Sequence, residues 1–262
     1  MASAAVELFE KTRGGFNFDN VERNAMMAKK GVKNPGFRKT GTTLAGCVFE
    51  GGVVLGTDTR ATAGSIVADK NCCKTHHLAE NIQCLGAGTA ADTEMVTRMI
   101  ASQLELQRMN MNRDRPRVIS AITRLKNHLF RYQGHVGAAL ILGGVDITGP
   151  HLWSVSPWGS TGTGPYLTMG SGSVDAMAVF EADFKDGLSK EEAMLLVARA
   201  IRAGIFNDMG SGSNVDITVI REVKDENGVP TGEVKREFFR NYQTPNERTY
   251  RARPVVFPPK TT

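Results

Sequence analysis

The chain has 262 residues, 41% hydrophobic and 23% charged, ordinary fractions for a folded domain and unlike those of a disordered one. No apolar run approaches the roughly 18–20 residues that cross a bilayer, and MASAAVELFEKTR places charges where a signal peptide needs an apolar stretch. The net charge of +5 is uneven: residues 1–41 hold eight Lys/Arg and four Asp/Glu (net +4), leaving 24 basic and 23 acidic residues (net +1) in 42–262. Nucleic acid and membrane are therefore not expected partners. Arg113, Arg115 and Arg117 cluster without the interleaved aromatics of a nucleic-acid groove, and read as a solvated turn between helices.

In chain order, residues 1–41 lack sustained periodicity and carry Gly14-Gly15, Gly31, Pro35 and Gly36; they read as a leader that would not fold alone. Strands are expected at Thr43–Phe49 and Val53–Asp58 around a Glu50-Gly51-Gly52 turn, then near Val67–Cys73 and Ile82–Gly86. Met95, Val96, Met99 and Ile100 share one helical face, and Val118, Ile122, Leu125 and Leu129 another. Strand text returns at Ala138–Ile147 and His151–Val155, with a turn at Asp146–Pro150. Helices are expected at Val174–Phe184 and Ser189–Gly204, the second opened by the capping box Ser189-x-x-Glu192. Val215–Val223 is a strand, followed by an Asn227-Gly228 turn signal. The Pro-rich text from Thr244 to Thr262 reads as an arm. Strands linked as hairpins and separated by helix pairs suit an α+β, four-layer αββα sandwich, two antiparallel sheets between helix layers.

Cys47, Cys72, Cys73 and Cys84 form no CxxC pair, and Cys72 and Cys73 on one strand would face opposite ways, as would His76 and His77. Free thiols in a cytosolic or nuclear chain are expected, with no metal and no cofactor. Gly170-Ser171-Gly172-Ser173 and Gly210-Ser211-Gly212-Ser213 read as tight turns.

The informative junction is Lys39-Thr40-Gly41-Thr42-Thr43. A Gly-Thr bond between a leader and a strand suits self-cleavage that exposes an N-terminal threonine. Thr42 Oγ would attack the Gly41 carbonyl, where no Cβ obstructs the approach. The freed α-amine, with an ordinary pKa near 7.7–8, can act as base for its own hydroxyl. Read alone, the same residues are equally the start of a strand.

Thr42-Thr43-Leu44-Ala45-Gly46, Gly56-Thr57-Asp58-Thr59-Arg60-Ala61-Thr62, Gly86-Ala87-Gly88-Thr89-Ala90-Ala91-Asp92-Thr93 and Gly204-Ile205-Phe206-Asn207-Asp208 resemble the catalytic β subunits of the 20S proteasome, in particular the beta-2, trypsin-like type. The likeness runs from Gly14-Gly15-Phe16 to about Arg221 and implies the N-terminal-nucleophile hydrolase fold. It also implies a threonine endopeptidase made as a precursor: propeptide 1–41, catalytic domain 42–243, arm 244–262, with cleavage between Gly41 and Thr42.

By the same resemblance Thr42 matches the nucleophile, Asp58 and Lys74 its acidic and basic partners, and Ser171, Asp208 and Ser211 the residues around the amine. Gly88 matches the oxyanion donor, and Thr62 and Ala90 positions that pair with an extended substrate. Arg60 matches a structural residue. Gly86 matches the floor of the first specificity pocket, Glu94 an acid at its far end, and Cys72 and His76 its wall, favouring Lys or Arg before the cut bond. Without the family, Glu94 is equally a first-turn helix glutamate and Asp58–Lys74 a surface ion pair.

The implied partners are other alpha and beta proteasome subunits in a 28-subunit barrel and unfolded polypeptide substrates, in cytoplasm and nucleus, linked to ATP and ubiquitin. A non-catalytic ring subunit and a freestanding amidohydrolase are the competing classes. The short Pro-rich tail and Ser156-Pro157-Trp158 depart from the family pattern.

Overall fold

A computed structural model describes residues 18–32, 39–111, 115–225 and 229–246. Arg113, the Asn227-Gly228 turn and residues 247–262 of the expected arm lie outside them. The chain divides into two compact units, 1–37 and 38–262. In the first, α1 (Asp19–Lys29) is a helix that the sequence reading lacks. Asp19 and Glu22 in its first turn and Lys29 in its last complement the helix dipole, and none of its residues is buried.

The second unit is built on two five-stranded antiparallel sheets. In the first, β1 (Thr43–Phe49) and β2 (Gly52–Asp58) form the expected hairpin. β10 (Tyr166–Gly170) flanks β1, and β11 (Val215–Lys224) then β12 (Pro230–Gln243) flank β2. The second sheet runs β5 (Thr75–Ala79), β6 (Ile82–Gly88), β7 (Ala138–Asp146), β8 (Gly149–Val155), β9 (Thr161–Thr163). Helices α2 (Ala90–Met111) and α3 (Val118–Arg131) cover its outer face; α4 (Ser173–Asp183) and α5 (Lys190–Asn207) cover that of the first sheet.

Strand alternation decides which side chains meet. On β1 and β2, Ala45, Cys47, Phe49 and Val54 face α4 and α5, packing with Phe180, Val197 and Ile201. Their neighbours Leu44 and Leu55 turn inward to Leu85, Ile141 and Leu152. Val96, Ile100, Ile122, Leu125 and Leu129 of the expected helix faces meet Ile82, Leu140 and Leu142, whereas Met95, expected beside Val96, points to solvent. Each fully buried leucine here contributes about 1.5–3 kcal/mol. The four layers are those of the αββα N-terminal-nucleophile hydrolase sandwich.

The capping box of α5 forms as read: Ser189 Oγ accepts the Glu192 N–H at 3.3 Å, and Glu192 Oε2 accepts the Ser189 N–H at 2.9 Å. The β7–β8 turn is tied by Asp146, whose Oδ1 accepts the Thr148 N–H and whose Oδ2 accepts the N–H of Val118 at the start of α3, both at 2.8 Å.

The expected strand Val67–Cys73 is corrected. The chain forms a small hairpin of β3 (Ala61–Ala63) and β4 (Ile66–Asp69), then bends. Asp69 Oδ1 takes the Asn71 N–H at 2.8 Å, and Thr59 Oγ1 donates to Lys70 O at 2.9 Å. This local turn chemistry stops the ladder, so Cys72 and Cys73 are not on a strand; Cys72 is half-buried and Cys73 exposed. All four cysteines are free. β5, β9, β10 and the 14-residue β12 are further strands that the sequence reading did not place.

Candidate active site

The fold carries the start of β1, the end of β2, the bend before β5, the β10–α4 turn and the loop after α5 to one place. Thr42 is only 2% exposed. Its N–H donates to Ser171 Oγ at 3.0 Å, and its Oγ1 donates to the Gly41 carbonyl at 2.7 Å. Lys74 Nζ, 7% exposed, donates to Asp58 Oδ1 at 2.8 Å, Thr42 Oγ1 at 3.0 Å and Gly41 O at 3.1 Å. Three donors meet three acceptors, so the ammonium is held in one position.

Asp58, fully buried, is satisfied beyond the lysine. Its Oδ1 also accepts the Thr43 N–H at 3.0 Å, and its Oδ2 accepts those of Arg60 at 3.2 Å and Gly212 at 3.1 Å. A buried charge so surrounded is far from the exposed ion pair that spacing alone allows.

Beside it lies a second carboxylate. Asp208 Oδ2 accepts hydroxyls from Ser171 and Ser211, each at 2.6 Å, and its Oδ1 accepts the Gly210 N–H at 3.0 Å. Burial alone would push the Asp208 carboxyl up. The hydrogen bonds from Ser171, Ser211 and the backbone outweigh it and hold the group below its ordinary value. Ser171, Asp208 and Ser211 thus form one bonded cluster, of which Ser171 alone meets the Thr42 nitrogen.

The residues just before Thr42 are held by an isolated β-bridge and a side-chain bond. The Thr40 N–H donates to Gly88 O at 3.3 Å, and the Gly41 N–H to Thr62 Oγ1 at 3.1 Å. Gly88 has φ +111°, and a Cβ there would stand 2.4 Å from the Gly137 carbonyl, so glycine is required. Gly88 meets the leader through its carbonyl, while the Gly41 oxygen is bound by Thr42 and Lys74. Thr62 engages the chain through its hydroxyl rather than its backbone. Ala90 is exposed at the first turn of α2, its carbonyl accepting the Thr93 hydroxyl at 2.8 Å.

The expected specificity residues gather in part. A Cβ on Gly86 would lie 2.8 Å from Thr93 Cβ and 3.1 Å from His76 Nε2. The Gly86 N–H donates to Lys74 O at 3.1 Å, tying this wall to the lysine. Burial lowers the His76 pKa, which the Glu94 charge partly opposes. Glu94 is 56% exposed and paired with Arg98 at 2.6 Å, an i,i+4 pair on α2, so its carboxylate is shared. Cys72 stands in the segment leading to Lys74; burial raises its thiol pKa, the Lys74 charge working against this.

Three contributors were not anticipated. Thr93 lines the Gly86 wall. Arg240 of β12 pairs with the buried Asp216 and donates to the carbonyls of Asn71 and, at 3.3 Å, Cys72, clamping the bend before Lys74. Thr43 bridges the two carboxylate clusters. Thr93 ends the Gly86–Thr93 stretch that carries the resemblance, which is its one signal in the sequence.

Comparison with known proteins decides the family. The family model described as "Proteasome subunit" matches residues 38–220. The chain belongs to the proteasome subunit family. It is 58% identical over 250 residues to proteasome subunit beta type-7-B of Arabidopsis thaliana, covering 95% of this chain and 86% of that one. With beta type-7 of Dictyostelium discoideum the identity is 57% over 250 residues, 95% and 90% of the two chains. With beta type-2 of Saccharomyces cerevisiae it is 51% over 248 residues, 95% and 91%. The chain is thus a β subunit of the proteasome's protease core, of the threonine-peptidase kind, and assembles with other proteasome subunits.

Proposed function

We propose that this subunit cuts itself between Gly41 and Thr42 and then hydrolyses unfolded polypeptides after Lys or Arg, as the beta-2-type, trypsin-like member of a heteromeric 28-subunit barrel. In this reading residues 1–41 are a propeptide, and the particle works in cytoplasm and nucleus on substrates delivered by the ATP- and ubiquitin-linked route. The observation that carries the reading is Lys74 Nζ set between Asp58, Thr42 Oγ1 and the Gly41 oxygen at 2.8–3.1 Å.

The chemistry follows from those contacts. Thr42 Oγ attacks the Gly41 carbonyl carbon, and the Lys74 ammonium stabilises charge developing on both oxygens. The Oγ proton passes to the departing Thr42 nitrogen, leaving Gly41 esterified on Thr42 Oγ. Water then hydrolyses the ester, freeing the Gly41 carboxyl and restoring the Thr42 hydroxyl beside the amine released in the first step. That amine, held by Ser171, takes the Oγ proton when a substrate carbonyl occupies the place Gly41 left. Gly88 N–H is assigned the substrate oxyanion, and Thr62 and Ala90 flank the extended substrate. Preference for a basic residue is assigned to the wall of Gly86, His76 and Cys72 with Glu94 at its mouth.

Assembled particles carrying Thr42→Ala test the assignment. Intact-mass measurement is expected to find residue 41 still joined to residue 42, with hydrolysis after basic residues abolished. Retained hydrolysis would move the nucleophile elsewhere.

A further inference from the structure

Thr43, one residue past the nucleophile, is fully buried, and its hydroxyl belongs to no function assigned above. Its Oγ1 lies 2.6 Å from Ser211 Oγ. Counting hydrogens fixes the direction of that bond. Ser211 has one hydroxyl hydrogen and directs it at Asp208 Oδ2 at 2.6 Å, and a carboxylate only accepts. Thr43 must therefore be the donor to Ser211. On the other side, Ser171 sends its hydrogen to the same Asp208 oxygen at 2.6 Å and so accepts the Thr42 N–H at 3.0 Å. The result is one ordered chain of hydrogen bonds, closed at one end by Thr43 Oγ1 and at the other by the Thr42 nitrogen.

The slot that holds this hydroxyl is shaped for it. A Cβ on Gly172, just before α4, would stand 2.1 Å from Thr43 Oγ1, and one on Gly204, in the last turn of α5, 2.2 Å from it. Neither helix could approach the strand with a side chain at these points. The branched Cβ of threonine restricts its rotamer and keeps the oxygen aimed at Ser211. Meanwhile the Thr43 N–H donates to Asp58 Oδ1, the oxygen that also binds Lys74. Residue 43 thus couples the Asp58–Lys74 pair, through its backbone, to the Ser211–Asp208–Ser171 cluster, through its side chain.

We propose that the Thr43 hydroxyl is a positioning group for catalysis: it orients Ser211 and Asp208, and through Ser171 fixes the nitrogen that serves as base. The proposal rests on the Thr42 nucleophile assignment. A threonine that merely packed under the helices would act through its methyl group, so Ser and Ala replacements separate the two roles.

Assembled particles are prepared with Thr43→Ser, Thr43→Ala and Thr43→Val, and chains beginning at Thr42 are counted by intact mass, so that rates refer to processed sites. With Thr43→Ser, kcat on a basic-residue peptide is expected to stay within about threefold of wild type. With Thr43→Ala it is expected to fall about tenfold or more with KM within about twofold, the size of one lost buried hydrogen bond. Thr43→Val, which fills the slot without a donor, carries the same expectation if the alanine chain fails to assemble. The proposal is overturned if Ala or Val particles match wild type, if Ser falls as far as Ala, or if only Ser chains assemble. Hydrolysis surviving in Thr42→Ala particles would instead overturn the nucleophile assignment.

Discussion

Replacing Lys74 by Met removes the charge at the centre of the site while keeping an apolar stem of similar length. With the ammonium 3.0 Å from Thr42 Oγ1, an alkoxide developing there is stabilised by about 5 kcal/mol at an effective dielectric of about 20. At 1.36 kcal/mol per tenfold, this corresponds to a rate loss on the order of 10³–10⁴. The fold should survive, because Asp58 keeps the backbone N–H groups of Thr43, Arg60 and Gly212. The ~3–5 kcal/mol typical of stranding one member of a buried pair is therefore expected at its lower end. The assay is intact-mass analysis of the Lys74→Met chain in purified particles, with the rate on a fluorogenic basic-residue peptide. A chain still beginning at Thr42, hydrolysing within tenfold of wild type, would refute the assignment of Lys74 to the reacting oxygen.

The shared Glu94 carboxylate gives a prediction of opposite sign. Arg98→Ala frees it from an exposed pair of the kind worth about 0.2–1 kcal/mol, so KM for basic-residue peptides should fall up to about fivefold, whereas Glu94→Gln should raise it; steady-state kinetics decide. Burial depresses the His76 pKa below 6.5, partly opposed by Glu94, so the unfolded chain binds the extra proton first. Stability from this residue is present above pH ~6.5 and lost as pH falls through the folded value; denaturant midpoints measured downward from pH 7.5 should decline less steeply for His76→Asn. Arg240→Met leaves Asp216 unpaired and loosens the bend before Lys74, costing about 3 kcal/mol, and adding Asp216→Asn should recover part of it in a double-variant cycle.

What the sequence made legible was whatever is written in short-range pattern. The β1–β2 hairpin, the α5 capping box and the apolar faces of α2 and α3 each depend on neighbours a few residues apart. β12 escaped because charges fall on both of its faces: Lys235 and Glu237 alternate with Arg236 and Arg240, and its apolar residues Phe238 and Phe239 are adjacent. It is the edge strand of its sheet, paired to β11 alone, with Glu237 and Arg236 opposite Val219 and Ile220, so no hydrophobic alternation marks it. The bend at Lys70–Cys73 reads as strand because its one local mark is the Asp69–Asn71 turn, the other bonds coming from Thr59 and Arg240. Thr42 is offered by the Gly41-Thr42 junction as well as by the family, whereas Asp58 and Lys74 come from family resemblance alone. Spacing says nothing of an ammonium brought to a hydroxyl by a hairpin of intervening chain. For the same reason the Thr43 hydroxyl and the Arg240 clamp, which depend on contacts across more than 150 residues, left no trace.

If the chain cuts itself before Thr42 as proposed, the position of that residue relative to the ladder leaves the sheet undisturbed. Pairing of β1 begins at Thr43 with Gly170 on one side and at Leu44 with Thr57 on the other. Thr42 therefore stands one residue outside the sheet, yet its nitrogen and oxygen are fixed by Ser171 and Lys74 rather than by strand partners. Breaking the bond before it removes no rung of the ladder; it releases the weak strand-like contacts of Thr40 with Gly88 and of Gly41 with Thr62. The groups those contacts occupied are then free for another extended chain. On the proposed reading, residues 40 and 41 would serve as a template for the substrate that follows, and the amine uncovered by the cut would already be bonded to Ser171.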